Sequence, residues 1–394
     1  MFTKEKLSEN SNLLEKWYIY ICIFLILLLV LTSNFPNYNE ILELGYSDSI
    51  SYLCFLSYQC GDFQEILHHT QRWPSHLIVQ LSSKLFTLDV IFTYRLFIVL
   101  LMLLMIKIIQ LIPVSVISKI SIFSFIIFNP YTFRLYFAIP TTISDCLVLI
   151  GFLVFVVGIL NNNLYHLLIG VFISVIFKQT GLILIPILFI LLYFKHISFK
   201  TFKWSMLIII LSSLFIIIST KIFFNAIEEN ANSNFIELTT GISLSKNLIT
   251  FFLYDSEKSF FLSNFFQRYI LSLLTLSPLL LINSKYKNIY LFIFFFFCIQ
   301  AQPIIAGPLN TGGNIQRLIL VGIPFLIPIF LNSRLSNKKM IFFIALLILS
   351  SFHHNFSIIN LFQYSRELFF VLILIIFFAS LIVFSFQKIK SRIN

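Results

Sequence analysis

The stretch Cys146-Leu-Val-Leu-Ile-Gly-Phe-Leu-Val-Phe-Val-Val-Gly-Ile-Leu160 carries no charged side chain, and the run Asn161-Asn162-Asn163 ends it. As a helix, residues 139–160 are long enough to cross a hydrocarbon core of about 30 Å. Comparable apolar runs of roughly 18–20 residues recur on both sides of it, from one end of the chain to the other. Hydrophobic residues make up 59% of the 394 positions and charged residues 11%, where a soluble protein carries about 25% charged. A chain this apolar cannot cover a globular surface with polar groups, so lipid must be its solvent. The expectation is an all-α polytopic membrane protein, a single transmembrane domain over residues 1–394. The 49 Phe, with abundant Ile, Lys and Asn, read as AT-rich codon usage rather than as an aromatic-rich function.

Polar breaks divide the chain into about twelve spans. They fall near 17–34, 88–111, 120–138, 139–160, 164–177, 179–194, 204–224, 267–283, 288–303, 315–332, 340–352 and 367–386. Two long polar loops interrupt the series, one at 35–87 and one at 225–266. Basic clusters then set the orientation, because cytoplasmic loops are enriched in Lys and Arg. Lys4, Lys6 and Lys16 precede the first span, and Lys195, Lys200 and Lys203 follow the sixth. Lys285 and Lys287 follow the eighth, Arg334, Lys338 and Lys339 the tenth, and Lys388, Lys390 and Arg392 the last. An even number of spans separates these clusters, which puts them and both termini on the cytoplasmic side. Lys119 and Asn161–Asn163 mark two further inside turns. The long loops are richer in acid. Glu40, Glu43, Asp48, Asp62 and Glu65 stand in the first, and Glu228, Glu229, Glu237, Asp255 and Glu257 in the second. Both are expected outside. The N-terminal run has no small-residue cleavage site after it and reads as a signal anchor.

The formal net charge of +11 is accounted for by these topogenic clusters and does not call for nucleic acid. No phosphate-binding glycine loop is present, so nucleotide hydrolysis has no support. The cysteines (Cys22, Cys54, Cys60, Cys146, Cys298) have no metal-ligand spacing. Neighbouring histidines, His68-His69 and His353-His354, do not share a helix face and lack a carboxylate at ligand spacing. No cofactor is expected, and a divalent metal has no support in the pattern.

Chemistry is expected in the outer loops, which a rigid scaffold would hold. Asp48 precedes an apolar-periodic stretch, Ile50 to Phe55, that suits a juxtamembrane helix. It is either the N-cap of that helix or a general base toward an acceptor hydroxyl. Arg72-Trp73-Pro74 leads into an amphipathic stretch, His76 to Phe86. Its arginine is either an interfacial anchor or a phosphate ligand. Ionisable residues at bilayer depth are costly and carry a functional prior. They are Arg95, Arg134, Asp145, Lys178 and Lys221. Arg134 and Asp145 fall at facing ends of adjacent spans, where they either form an ion pair that locks the helices or belong to a site. Arg317 follows the glycine-rich loop that begins at Gly307 and stands at the start of a span.

Together these features resemble the GT-C superfamily of membrane glycosyltransferases over roughly residues 15–330. The carrying motifs are Asp48 within Tyr46-Ser-Asp-Ser-Ile-Ser-Tyr52, Arg72-Trp-Pro74, Asn129-Pro130 with Thr141-Thr-Ile-Ser-Asp145, Phe177-Lys-Gln-Thr-Gly-Leu182 followed by Pro186, and Asn314-Ile-Gln-Arg317 with Pro324. Two positions depart from the pattern. Gln179 stands where an acidic residue is common, and Asp48 has only Glu43 as a second carboxylate upstream, which puts a metal-binding pair in doubt. The resemblance implies a GT-C-like fold with juxtamembrane helices in the first outer loop. It implies a bacterial inner-membrane enzyme of cell-envelope polysaccharide biosynthesis, with a polyprenyl-linked sugar donor and a glycan acceptor as partners. Asp48 would be the catalytic base, and Arg72, Lys178 and Arg317 would bind the donor phosphate. Glu43, Asp62, Arg134 and Asp145 would be accessory.

Two other readings compete. An O-antigen or capsule polymerase shares the size, span count and outer loops, but the second loop here is acidic and has no arginine between residues 225 and 267. A polysaccharide or lipid-linked sugar transporter would also suit an even span count, although no internal repeat is evident.

Overall fold

The computed structural model describes residues 3–33, 35, 72–224, 266–311, 315–333, 336–351 and 366–393. Asp48, Glu43, Asp62, Cys54, Cys60, both histidine pairs and nearly all of the second long loop lie outside them. Among the described residues the chain is all-helical, with no strand. Helix α1 is Thr3–Leu31, α2 Trp73–Phe86, α3 Val90–Gln110, α4 Val116–Phe128 and α5 Phe133–Ala138. A 3-10 turn at Pro140–Thr142 leads into α6 (Ile143–Leu160), and a second at Gln179–Ile183 joins α7 (Leu164–Phe177) to α8 (Leu184–Tyr193). Then come α9 (Phe199–Phe224) and α10 (Phe266–Leu281), the latter ending in a 3-10 turn at Ser277–Leu281. The rest are α11 (Ile289–Thr311), α12 (Ile315–Leu320), a 3-10 segment Ile323–Phe330, α13 (Asn337–Ser350) and α14 (Arg366–Ile393).

Every expected span falls on a helical segment, but among the described residues four stretches are long and apolar enough to cross a membrane: Val90–Gln110, Pro140–Leu160, Phe199–Thr220 and Phe369–Phe386. The other expected spans are shorter or interrupted helices. Two interruptions have a clear chemical cause. The span expected at 120–138 breaks after α4 because Pro130 forces Asn129 into an extended conformation (φ −62°, ψ 129°). The span expected at 315–332 is only six residues of α-helix before a 3-10 segment containing Pro324 and Pro328. Helix starts follow ordinary capping chemistry. Asp89 accepts from the Phe92 N–H at 2.8 Å, and Asn163 from that of His166 at 3.2 Å. Pro74 sits in the first turn of α2, which starts at Trp73, ahead of the expected His76.

Helix α6 is the axis of the bundle. It is apolar around its whole circumference, as a helix surrounded by protein must be, and 83% of its apolar window is buried, against 22% for α9 and α14 at the periphery. Phe152 and Phe155 pack on Phe325 at 5.4 and 6.1 Å, and Phe295 reaches the same ring at 6.0 Å. Its closest partner is α7, which runs back against it. A Cβ on Gly170 would stand 2.4 Å from the Phe155 nitrogen and 2.8 Å from the Gly151 oxygen, and one on Gly158 would stand 2.5 Å from the Leu167 nitrogen. Absent side chains thus set the backbone separation and bring the start of α6 level with the end of α7.

The two ends of the bundle differ. At one end the turns meet each other: Asn161 Nδ2 donates to the Leu111 carbonyl at 2.8 Å, Lys119 to that of Gln110 at 2.8 Å, and Ser284 to that of Leu331 at 3.2 Å. The charge pattern assigns all these turns to one side. Ionisable groups gather toward the other end, where α2 crosses the first turns of α3. There His76 Nδ1 lies 2.8 Å from Tyr94 Oη, and Gln80 reaches the same hydroxyl at 3.4 Å. The Trp73 ring meets Phe215 of α9 at 6.2 Å.

Overpacking the α6–α7 contact should be expensive. Gly170→Val is expected to destabilise the purified protein by about 1–3 kcal/mol, read as a lowered Tm in detergent. An unchanged Tm would show that the two helices separate freely.

Candidate functional site

Asp145 lies in the first turn of α6 and is almost fully buried. Its Oδ1 accepts from Lys178 Nζ in a short ion-paired hydrogen bond. Arg317 Nε lies 3.1 Å from Oδ2. That contact is off the N–H axis, so it is an ion pair without an aligned hydrogen bond. Arg72, the residue before α2, acts electrostatically on both Asp145 and Lys178. Side chains from the α7–α8 hairpin and α12 therefore meet one carboxylate of α6, with Arg72, just before α2, within electrostatic range.

Local structure explains each placement. Lys178 is the extended residue (φ −166°, ψ 144°) between α7 and the 3-10 turn. The turn folds back on α7 because position 181 is glycine: a Cβ there would stand 2.2 Å from the Ser174 oxygen. The hairpin tip is held against α6, and its ammonium meets Asp145. Pro140 and the 3-10 turn behind it start α6 at the level that puts Asp145 in its first turn. The brevity of α12, halted before Ile323, fixes Arg317 at the same level.

Charge and donor counts describe what the cluster offers. Two cations, Lys178 and Arg317, are paired with Asp145 among the described residues, a third, Arg72, acts on it electrostatically, and the two arginines make further contacts besides. Asp145 is the one acceptor for Lys178 among the described residues, although an ammonium carries three N–H donors. A low-dielectric interior strengthens such attractions, yet desolvation offsets much of the gain, so a buried pair is poor evidence of stabilisation by itself. Among the described residues no three His, Cys, Asp or Glu side chains gather as a metal site would require.

Of the residues expected to bind the donor phosphate, Arg72, Lys178 and Arg317 come together. Asp145, expected only as accessory, is the centre on which they meet. Arg134 is elsewhere. It is buried and donates to the Thr32 carbonyl at 2.9 Å, Ser33 Oγ at 3.2 Å, Thr32 Oγ1 at 3.0 Å and Ser351 Oγ at 3.3 Å. Of the two alternatives for Arg134 and Asp145, the ion pair between them is not formed, because the break after α4 turns Arg134 toward the end of α1. Arg95 donates to the Phe137 carbonyl at 3.3 Å and stands over the Phe35 ring at 5.2 Å. Asp48, Glu43 and Asp62 lie outside the described residues. Sequence reading missed Tyr136, His76, Tyr94 and Gln80. A tyrosine inside Phe133–Ala138 or a histidine on an amphipathic helix carries no spacing signal. Cys22, Cys146 and Cys298 are free thiols.

No protein-family model matches this chain, and no curated protein or solved structure is significantly similar to it.

The cluster should behave as a coupled unit. Asp145→Asn, which leaves the Lys178 ammonium buried without its carboxylate, is expected to cost about 3–5 kcal/mol. The double variant Asp145→Asn/Lys178→Met should cost clearly less than the sum of the two single changes. Strict additivity in unfolding measurements would mean that the pair is not coupled.

Proposed function

We propose that this chain is an integral membrane glycosyltransferase of the GT-C kind, moving a sugar from a polyprenyl-linked donor to a surface glycan or lipid-linked acceptor. In this reading it has twelve spans, cytoplasmic termini and its chemistry on the extracytoplasmic side. The observation that carries the reading is the convergence of Arg72, Lys178 and Arg317 on Asp145. Such a transfer releases a polyprenyl phosphate or pyrophosphate, and preorganised cations in a water-poor site stabilise the charge that develops on it. The acceptor oxygen bonds to the anomeric carbon as the bond from that carbon to the phosphate oxygen breaks. The phosphate keeps the bonding electrons, and Asp48 takes the acceptor proton.

Depth favours a lipid-borne ligand over a soluble one. At about 1.5 Å per residue, α7 lifts Lys178 about 21 Å above the Asn161–Asn163 turn and α6 lifts Asp145 about 23 Å, short of a hydrocarbon core of roughly 30 Å. With that turn at the cytoplasmic interface, the cluster lies within the outer leaflet, where the head of a lipid-linked substrate reaches it sideways. The backbone breaks beside Lys178 and Arg317 also favour a second reading, a carrier of lipid-linked sugar, since interrupted helices commonly line transport sites.

Wild-type protein in nanodiscs is expected to bind undecaprenyl phosphate, with Arg317→Ala weakening binding about tenfold or more. Equal binding by the variant would remove the cluster from the site. With a polyprenyl-phosphate sugar as donor, Asp48→Asn should lower transfer by about 10²–10⁴-fold while binding persists. Full transfer by that variant would make the base assignment wrong. Movement of the lipid-linked sugar across protein-containing vesicles with no transfer product would favour the carrier.

A further inference from the structure

Tyr136 lies in α5, which the 3-10 turn at Pro140–Thr142 joins to the start of α6. Its side chain is fully buried. The ring packs edge-on against Phe133 at 5.8 Å, and the backbone N–H donates to the Thr132 carbonyl at 2.8 Å. The hydroxyl makes no hydrogen bond among the described residues. Buried hydroxyls are nearly always paired, because burial strips away water and an unmade bond leaves that loss uncompensated. A phenylalanine would fill the same space without that penalty.

The surroundings of this hydroxyl are not those of an ordinary core tyrosine. It lies within electrostatic reach of Asp145 and Arg317. Lys178, on the same carboxylate, likewise has fewer acceptors than N–H donors among the described residues. Two buried side chains, Lys178 in contact with Asp145 and Tyr136 on the short helix that the 3-10 turn joins to the start of α6, thus keep N–H or O–H donors without an acceptor among the described residues. A ligand rich in acceptor oxygens and negatively charged would use both, and a phosphate group has that chemistry.

We propose that Tyr136 is a ligand-contacting residue, its hydroxyl donating to an oxygen of the phosphate group that Lys178 and Arg317 attract. The inference rests on the reading of the cluster as the seat of a lipid-linked phosphate, and it adds a neutral donor that distinguishes a bound phosphate from a bare charge balance. The hydroxyl does no bond-making; it fixes the orientation of the phosphate through a directional bond, which mobile ammonium charge alone does not provide.

Tyr136→Phe tests this in the full-length protein, with undecaprenyl phosphate and inorganic pyrophosphate as probes. The expected result is about tenfold weaker binding of undecaprenyl phosphate with a Tm that is unchanged or raised, since an uncompensated buried hydroxyl has been removed. The same loss with pyrophosphate assigns the contact to phosphate whatever it is attached to, and a loss with the lipid alone assigns it to the lipid-linked form. Wild-type binding of undecaprenyl phosphate that Tyr136→Phe leaves intact, or a lowered Tm with affinity unchanged, overturns the role of Tyr136 and spares the function proposed above. Absence of binding of either probe by the wild-type protein overturns both.

Discussion

The ion-paired Asp145 imposes the strictest condition on this fold. A carboxylate in the first turn of the most enclosed helix must be compensated, because an isolated charge in a low-dielectric interior is prohibitively costly. Compensation comes from Lys178 and Arg317, and neither is local in sequence. The α7–α8 hairpin must therefore end at the level of Asp145, and α12 must begin there. The short helices around α6 follow the same demand: a full-length α7 would carry Lys178 past its partner. Charge compensation and helix length are one constraint in this bundle.

The glycines satisfy that constraint sterically. Gly151, Gly158 and Gly170 let α6 and α7 approach at backbone contact, and Gly181 lets the following turn lie on the last turn of α7. In a membrane protein apolar side chains gain little by leaving lipid for one another, so close packing of small residues carries more of the helix association. The polar cluster gives that packing a direction. Glycine contacts alone would permit sliding along the axis, whereas the ion pair at one end and the tight turn at the other, closed by the Asn163 N–H on the Gly158 carbonyl at 2.9 Å, fix the register.

Sequence reading located the helices well because their ends are chemical. Asp89 and Asn163 cap helices, and the expected spans 88–111 and 139–160 sit within two residues of Val90–Gln110 and Pro140–Leu160. It failed where proline breaks an apolar run, at Asn129–Pro130 and at Ile323–Phe330, since hydropathy alone does not separate a span from an interrupted one. The cations of the site were legible individually, each as an ionisable residue at an uncharacteristic depth. Their common partner was not. Arg134 is the nearer cation to Asp145 in the chain, yet its guanidinium goes to Thr32, Ser33 and Ser351. The partner actually used is 33 residues away. Lys178 closes the open end of the α6–α7 hairpin on Asp145, and Arg317 comes from a distant element; separation along the chain does not rank such partners, because antiparallel packing brings the far ends of two helices together.

Arg134 and the Asp145 cluster resolve the same problem in different ways, and the contrast bears on function. Arg134 is surrounded by oxygens of the residues just after α1 and of Ser351, several acceptors to one guanidinium. That is how a cation is built into a scaffold. Around Asp145 the balance is one of charge: a single carboxylate faces the Lys178 ammonium and the Arg317 guanidinium at contact distance, and the Tyr136 hydroxyl makes no hydrogen bond among the described residues. The same end of the same bundle thus holds a guanidinium bonded through its two terminal nitrogens to four neutral oxygens, with no counter-charge among them. What sets the Asp145 cluster apart is an excess of positive over negative charge among the described residues, and that excess is what the proposed phosphate would complement.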